Sequence, residues 1–285
     1  MSGTPLKEPV ALVLGGGGVL GASQVGMLRA LDDAAITPDL VLGTSVGAIN
    51  GAALSAGHGR MGALDELCRI WEGMVDGDVF GGSLLSRTVR VVRTGTHLHS
   101  SEPLRQRLED TFGDQRIEKL PMPFQCVAAS IEHAREHWFT EGPVVDAVLA
   151  SCAVPGLLEP VEIDGEHFLD GGLVASVPVE RAIQLGARTV FVLHVGRFNA
   201  PLQPPRRPWE VAVVAFEIAR RHRYETTMSS LPDDVTVHVL PTGTEPLRFT
   251  DRRQFFYRDF STVPGRIQAA REATIRYLQS RDLRS

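Results

Sequence analysis

Short apolar runs alternate with helical patterns along most of the chain. The apolar runs predict buried strands, and apolar positions three or four residues apart predict helices that bury one face. This alternation predicts βα units around a mainly parallel sheet, which is an α/β fold. Strands are predicted at 10–14, 40–42, 124–130, 137–140, 168–170, 189–195 and 235–240, and helices at 22–35, 46–56, 63–74 and 102–112.

The chain changes in composition near residue 200. Residues 201–208 contain four prolines and two arginines, which is typical of a connecting segment. No repeat of fixed period is visible, so a solenoid is not predicted. We predict a main unit over 1–200, followed over 201–285 by a strand and helices that pack on the same domain.

The overall composition is that of an ordinary globular protein, with 43% hydrophobic and 22% charged residues among 285. It excludes a disordered chain, a collagen-like fibre and a small disulfide-stapled protein. The formal net charge of -5 provides no general positive field, so no nucleic-acid partner is expected.

The three cysteines are far apart and belong to no CxxC or Cys/His cluster, so neither a zinc site nor a disulfide framework is predicted. They are expected to be small buried thiols in a reducing compartment. The sequence also lacks a signal pattern and an apolar run of about 18–20 residues that would cross a bilayer. We therefore predict a cytoplasmic protein whose only membrane contact is peripheral.

A serine flanked by glycines stands between the second predicted strand and the next helix, in the sequence GTSVG at 43–47. This GxSxG pattern is typical of a nucleophile elbow, a turn so sharp that Gly43 and Gly47 let the strand and helix approach. The turn presents the Ser45 hydroxyl at a helix N-terminus, which favours developing negative charge. The same pattern also fits a turn whose serine only caps the helix, so the motif alone leaves both interpretations open.

A glycine-rich loop, GGGVLG from Gly16 to Gly21, follows the first predicted strand. Such a loop exposes consecutive amide groups that bind either a phosphate or an oxyanion. A dinucleotide site requires an acidic residue at the end of the second strand, which instead ends in Gly43, Thr44 and Ser45. Because parallel strands bring their carboxyl ends together, the loop amides are predicted to lie beside Ser45.

A reactive serine needs a base. Asp170, followed by Gly171 and Gly172, is one candidate, since a carboxylate in a poorly solvated site becomes more basic. Its alternative role is that of a turn residue, because Asp-Gly is a common turn pair. The order Ser, Asp, His of α/β-hydrolases favours a histidine instead, although none has a distinctive sequence setting. The histidines downstream of Asp170 that we considered are His194, His222 and His238.

Three sequence blocks follow one another along the chain: GGGVLGASQVGMLRAL at 16–31, GTSVGAING at 43–51 and SCAVPGLLEPVEIDGEHFLDGGLVASVPV at 151–179. In this order they resemble the patatin-like phospholipases, lipid acyl hydrolases that use a Ser/Asp dyad and no catalytic histidine. They cover about the first 180 residues of the chain. The resemblance implies a three-layer α/β/α fold with a mainly parallel central sheet, and it makes the unit over 1–200 the catalytic domain.

The resemblance implies a role for each matching residue. Ser45 matches the nucleophile and Asp170 the aspartate of the dyad. The implied substrate is a lipid or lysophospholipid ester, and neither a metal nor an organic cofactor is implied. The loop residues implied for the oxyanion hole are Gly16, Gly17, Gly18 and Val19, and the supporting glycines are Gly21, Gly43, Gly47, Gly171 and Gly172.

Two positions depart from the family pattern. Leu20 stands where the family usually has Arg or Lys in its GGGxRG loop, and Ser176 stands where Asn is common. Backbone amides still form an oxyanion hole without the basic side chain, but its help with a headgroup phosphate is lost. A general lipid-ester or lysophospholipid role is therefore favoured over a full phospholipase role.

Two other functions stay open from the sequence. One is an α/β-hydrolase-type esterase with His194 as base, and the other is a catalytically weak lipid-binding protein. Residues 84–93 fit either a basic amphipathic cover or an ordinary surface helix. Residues 209–218 predict a helix of the core or of an acyl pocket, and the basic run at 220–223 is expected to be a solvated face.

Overall fold

Eight strands form one central sheet in the computed structural model, which describes residues 5–57, 67–71, 99–196, 201–244 and 263–283. The strands are β1 (Val10–Leu14), β2 (Leu40–Thr44), β3 (Phe124–Ser130), β4 (Arg135–Phe139), β5 (Val161–Ile163), β6 (Glu166–Asp170), β7 (Thr189–Leu193) and β8 (Thr236–Val239). Their order is β5-β6-β3-β2-β1-β7-β8, with β4 also paired to β3. Strands β3, β2, β1, β7 and β8 are parallel, whereas β4, β5 and β6 pair antiparallel. The mainly parallel sheet is confirmed.

Helices cover both faces of this sheet. They are α1 (Ala22–Asp33), α2 (Val46–Ala56), α3 (Glu102–Phe112), α4 (Val144–Ser151), α5 (Gly172–Ala175), α6 (Val179–Gln184), α7 (Pro208–Ser229) and α8 (Val263–Ser280). Residues 67–71 are also helical, and the rest of the helix predicted at 63–74 lies outside the described residues.

Each face of the sheet has its own hydrophobic cluster. Leu12 and Leu14 of β1 pack with residues of α1, α2, α4 and α8. Ala11 and Val13, which point to the opposite face, pack with Val179 of α6. Strands buried on both faces need near-continuous apolar runs, as the sequence has here. The predicted three-layer α/β/α arrangement is confirmed.

Strand β3 positions two chain segments that are remote in sequence. Strand β4 pairs with β3 from Cys126 to Ser130 and takes one edge of it. Strands β2 and β6 must therefore share the other edge, β2 as far as Val127 and β6 from Ala128 onward. Because β2 is parallel and β6 antiparallel to β3, their carboxyl ends meet.

The residues after 200 contribute to the same sheet and core. Strand β8 pairs with β7, and α8 packs closely on α1. A side-chain carbon at Gly26 of α1 would lie 2.0 Å from the Ile267 carbonyl oxygen, so only glycine allows this approach. An ion pair of 2.8 Å joins Arg271 to Asp33. The division at residue 200 stays a prediction.

Candidate active site

Ser45 lies in the sharp turn between β2 and α2. Its backbone has φ 55° and ψ −127°, a conformation that non-glycine residues rarely adopt. A side-chain carbon at Gly43 would lie 2.5 Å from the Ala48 Cα atom, and one at Gly47 would lie 2.1 Å from the Leu14 carbonyl oxygen. Both glycines therefore allow the contacts of α2 with β2 and with β1. The Ser45 hydroxyl is held at the N-terminus of α2.

Asp170 is the last residue of β6 and faces Ser45 where β2 and β6 meet. Thr44 pairs with Val127 and Asp170 with Ala128, so successive residues of β3 carry the two segments. The Ser45 side chain lies close enough to the Asp170 carboxyl to lower its pKa. The two predicted residues, far apart in the sequence, are thus brought together.

Burial changes the acidity of Asp170. The residue is 6% exposed, and loss of solvation raises the pKa of its carboxyl to about 6. Hydrogen bonds from Ser45 and from the Gly172 amide, the latter 2.7 Å long, lower this pKa, as does the positive charge of Arg220. A carboxylate with a pKa near 6 is a stronger base than an ordinary aspartate and is still ionised at neutral pH.

The glycine loop borders Ser45 directly. A side-chain carbon at Gly16 would lie 3.3 Å from the Ser45 Cβ atom. The Gly16 amide donates to the Ser176 carbonyl oxygen at 3.2 Å, so it is already engaged. In the described part of the chain, the amides of the next three residues donate to no acceptor. Those residues are Gly17, Gly18 and Val19.

The remaining predicted glycines allow close contacts around the site. A side-chain carbon at Gly171 would lie 2.1 Å from the Val127 carbonyl oxygen, and one at Gly21 would lie 2.6 Å from a methyl group of Val46. At Gly172 it would lie 2.9 Å from an Asp170 carboxylate oxygen.

Two residues at the end of α4 also contact the site, and the sequence motifs do not identify them. The Ser151 hydroxyl accepts a hydrogen bond of 2.9 Å from the Ser45 amide. Burial raises the pKa of the Cys152 thiol well above its usual value, and the nearby Ser45 side chain lowers this pKa in part. Both lie in the SCAVPG segment, whose small residues let α4 end against the turn.

The three candidate histidines occupy other environments. His194 is 6% exposed, and burial together with the charge of Arg220 lowers its pKa far below the usual value, so it is neutral. The Ser45 side chain influences the pKa of Asp170, whereas Arg220, Arg221 and the Gly196 backbone influence that of His194.

The other two histidines have different surroundings. His238 stacks on Phe191 and contacts the Tyr277 hydroxyl, and His222 is exposed.

The basic run on α7 differs from the expected solvated face. The side chains of Arg220 and Arg221 are only 10% and 11% exposed, because both pair with Glu217 one turn earlier. His222 and Arg223 are exposed, as expected. The expected core or pocket helix at 209–218 is also only partly right, since Val211 and Ile218 are more than half exposed. The predicted cover at 84–93 lies outside the described residues.

The described residues provide neither a metal-ion site nor a helix that could cross a membrane. No group of three or more His, Cys, Asp or Glu residues among them is arranged to hold a metal ion. None of the helices in the described ranges combines the length and the apolar character needed to cross a membrane.

A family model described as patatin-like phospholipase matches residues 12–183, which include both Ser45 and Asp170. The chain belongs to the patatin-like phospholipase family. The resemblance stated from the sequence blocks is therefore confirmed. The match ends before β7, so the last two strands of the sheet and helices α7 and α8 lie outside it.

Individual members of the family match only part of the chain. Lysophospholipase nte1 of Aspergillus terreus is 32% identical over 190 residues, which cover 67% of this chain and 12% of that protein. Patatin-like phospholipase domain-containing protein 6 of Mus musculus is 31% identical over 189 residues, covering 66% and 13%. The chain thus spans only about an eighth of the length of these relatives.

Two solved structures were also matched over nearly the whole chain. VipD from Legionella pneumophila has a TM-score of 0.47 and 15% identity, and the match covers 98% of this chain and 68% of that one. Human GIVD cytosolic phospholipase A2 has a TM-score of 0.43 and 13% identity, covering 96% and 59%.

Proposed function

We propose that this protein is a lipid acyl hydrolase that cleaves carboxylic esters through a Ser45/Asp170 dyad. The observation that carries the proposal is the pairing of Thr44 and Asp170 with successive residues of β3, which places Asp170 beside Ser45 at the junction of β2 and β6. Membership of the patatin-like phospholipase family supports the reaction class. The names of the relatives favour a lysophospholipid as the substrate.

The first step is attack by the Ser45 Oγ atom on the ester carbonyl carbon. Asp170 takes the hydroxyl proton, which its raised pKa favours, and the C–O bond to the alcohol breaks as that group leaves with a proton. The acyl group is then an ester of Ser45. This step needs no histidine, because the Asp170 carboxylate beside Ser45 is itself the base.

The negative charge that develops on the carbonyl oxygen needs hydrogen-bond donors. The amides of Gly17, Gly18 and Val19 are the candidates, since the Gly16 amide already donates to Ser176. Loss of one such donor typically costs about 3–4 kcal/mol of transition-state stabilisation. Water activated by Asp170 then hydrolyses the acyl-enzyme and regenerates Ser45.

The dyad is tested with two variants and one control. Ser45→Ala and Asp170→Asn should each lower hydrolysis of a short p-nitrophenyl ester and of a lysophospholipid by about 10³-fold or more. Ser229→Ala, an exposed serine on α7, should retain full activity. Circular dichroism checks that each variant is folded.

A fluorophosphonate probe separates an enzyme from a lipid-binding protein with an inactive site. Wild-type protein and Ser229→Ala should be labelled on Ser45, and Ser45→Ala should not. Full ester hydrolysis by folded Ser45→Ala, or a wild-type protein that neither labels nor hydrolyses, would rule out the dyad. Wild-type activity in Asp170→Asn together with loss in His194→Ala would favour the histidine mechanism instead.

A further inference from the structure

Helix α7 brings a buried cation to the rear of the site. The Arg220 guanidinium lies near the end of β7, where one of its nitrogens would be 3.1 Å from a side-chain carbon at Gly196. It pairs with Glu217 at 2.8 Å, and Glu217 also pairs with Arg221 at 3.4 Å. These three side chains carry one net positive charge. All are at most 14% exposed, so their field is weakly screened.

Arg220 also holds the short helix α5 through a side-chain contact. Its Nη1 atom donates to the Ser176 hydroxyl at 3.3 Å. The carbonyl of the same serine accepts the Gly16 amide at 3.2 Å. Ser176 therefore links α7 to the first residue of the glycine loop.

Helix α5 contacts both Asp170 and the turn that carries Ser45. At its start, the Gly172 amide donates to Asp170 at 2.7 Å. At its end, the Ala175 carbonyl accepts the Thr44 hydroxyl at 2.8 Å, next to Ser45. A displacement of α5 would thus change the positions of the base, the nucleophile turn and the loop together.

The charge of Arg220 acts on Asp170 as well. Among the charged and titratable groups around this carboxyl, Arg220 lowers its pKa, while the Cys152 thiol on α4 and the Cys126 thiol on β3 are neutral. His194 on β7 is also neutral, in part because of the same arginine. Among these groups, Arg220 with its ion-pair partners is therefore the one that provides positive charge near Asp170.

We propose that Arg220 is a positioning residue for the reaction of Ser45: it fixes α5 against the glycine loop and places a permanent positive charge behind Asp170. This inference rests on the proposed function. It assigns a role to α7, which lies outside the residues matched by the family model.

The kinetic test compares Arg220→Met, Arg220→Lys, Ser176→Ala and the control Arg223→Met, an exposed arginine three residues further along α7. Arg220→Met should lower kcat for a p-nitrophenyl ester about tenfold with little change in KM. It should also shift the acidic limb of the kcat/KM profile to higher pH by about half a pH unit or more, because the charge that lowers the pKa of Asp170 is removed. Arg223→Met should match the wild type in all three measurements.

The other two variants separate the contact from the charge. Ser176→Ala removes the hydrogen bond to Arg220 and keeps the charge, so kcat should fall several-fold while the acidic limb stays in place. Arg220→Lys keeps the positive charge, so its acidic limb should lie at the wild-type pH and not at that of Arg220→Met. It should restore kcat only in part, because an ammonium group does not reproduce the planar fork that reaches Ser176 and Glu217 together. If Arg220→Met fails to fold, these two variants still decide the matter.

A measurement that does not depend on turnover distinguishes this inference from the proposed function. The ¹³C-carboxyl resonance of Asp170, assigned by its absence in Asp170→Asn, is titrated in wild-type protein and in Arg220→Met. A higher midpoint in Arg220→Met supports the inference even if the wild type hydrolyses no ester. Unchanged midpoints, or folded Arg220→Met with wild-type kcat and acidic limb, would overturn it.

Discussion

At the scale of single residues, the buried carboxyl of Asp170 has a cost in stability. Its pKa is raised from 3.8 in the unfolded chain to about 6 in the folded protein. The folded state therefore binds the proton more tightly than the unfolded state. The resulting stability is fully present below about pH 4 and is lost as the pH rises through about 6.

Asp170→Asn is predicted to stabilise the protein at neutral pH while it abolishes hydrolysis. The amide carries no charge, and its oxygen still accepts the Gly172 amide, so the cost of a buried carboxylate, roughly 3 kcal/mol, is removed. Chemical denaturation at pH 7 should show a higher free energy of unfolding than for the wild type. At pH 4 the two proteins should be nearly equal. A destabilised variant at pH 7 would contradict the assigned burial of the charge.

The pH dependence of the wild type follows from the same group. Because the proposed base, Asp170, can accept a proton only when ionised, kcat/KM should rise with pH and level off above an apparent pKa of about 6. A profile from pH 4.5 to 8.5 with a p-nitrophenyl ester, corrected for its spontaneous hydrolysis, measures this limb. An acidic limb near pH 4 would mean that Asp170 is better solvated than in the structure.

At the scale of elements, the position of α2 depends on close backbone contact with β1. Gly47→Ala should destabilise the protein by several kcal/mol, because its new carbon would lie 2.1 Å from the Leu14 carbonyl oxygen and nothing flexible can move away. It should also displace Ser45 and lower activity.

A second glycine in a helix provides the matched control for that change. In Gly265→Ala on α8, the new carbon would have no neighbour within 4 Å. This variant should be neutral or stabilised by about 0.5–1 kcal/mol, since alanine favours helices. Urea denaturation of both variants tests the contrast. Equal stabilities would mean that α2 does not lie against β1 as described.

The elements themselves were well predicted wherever local pattern determines them. Strands β1 and β3 and helices α2 and α3 occur at the predicted residues, and the other predicted strands overlap those observed. The antiparallel direction of β4 and β6 was not predictable, because it depends on pairing with β3 rather than on their own sequences. The burial of Arg220 and Arg221 was missed because a basic run normally predicts a solvated surface.

Part of the candidate site could be selected from the sequence. Ser45 and Asp170 stand in glycine-rich motifs whose backbone demands are visible in the sequence, so both could be selected without coordinates. Ser151, Cys152 and Arg220 carry no such local signal. Their contacts arise only when α4 and α7 pack against the turn.

At the scale of the whole molecule, residues beyond 200 belong to the same packed structure in the described ranges. Strand β8 extends the sheet beside β7, and α8 covers α1. Truncation after residue 200 should therefore expose one face of α1 and one edge of β7, and the shortened chain should be insoluble or molten.

The intact chain is predicted to unfold in one cooperative transition. Calorimetry and circular dichroism of the full chain should give coincident midpoints. Two separate transitions, or a folded and active fragment 1–200, would instead make the C-terminal region an independent unit.

The shared edge of β3 makes the distance between the Ser45 hydroxyl and the Asp170 carboxylate depend on the number of residues in β3. Since β4 fills one side of this strand, β2 and β6 must fit end to end along the other side. Strand β2 ends opposite Val127, and β6 ends opposite the next residue, Ala128. One extra residue inserted between those two would part the hydroxyl from the carboxylate by roughly 3.3 Å and reverse the orientation of one of them. Natural variation in this chain should consequently tolerate changed side chains along β3 far better than any insertion or deletion there.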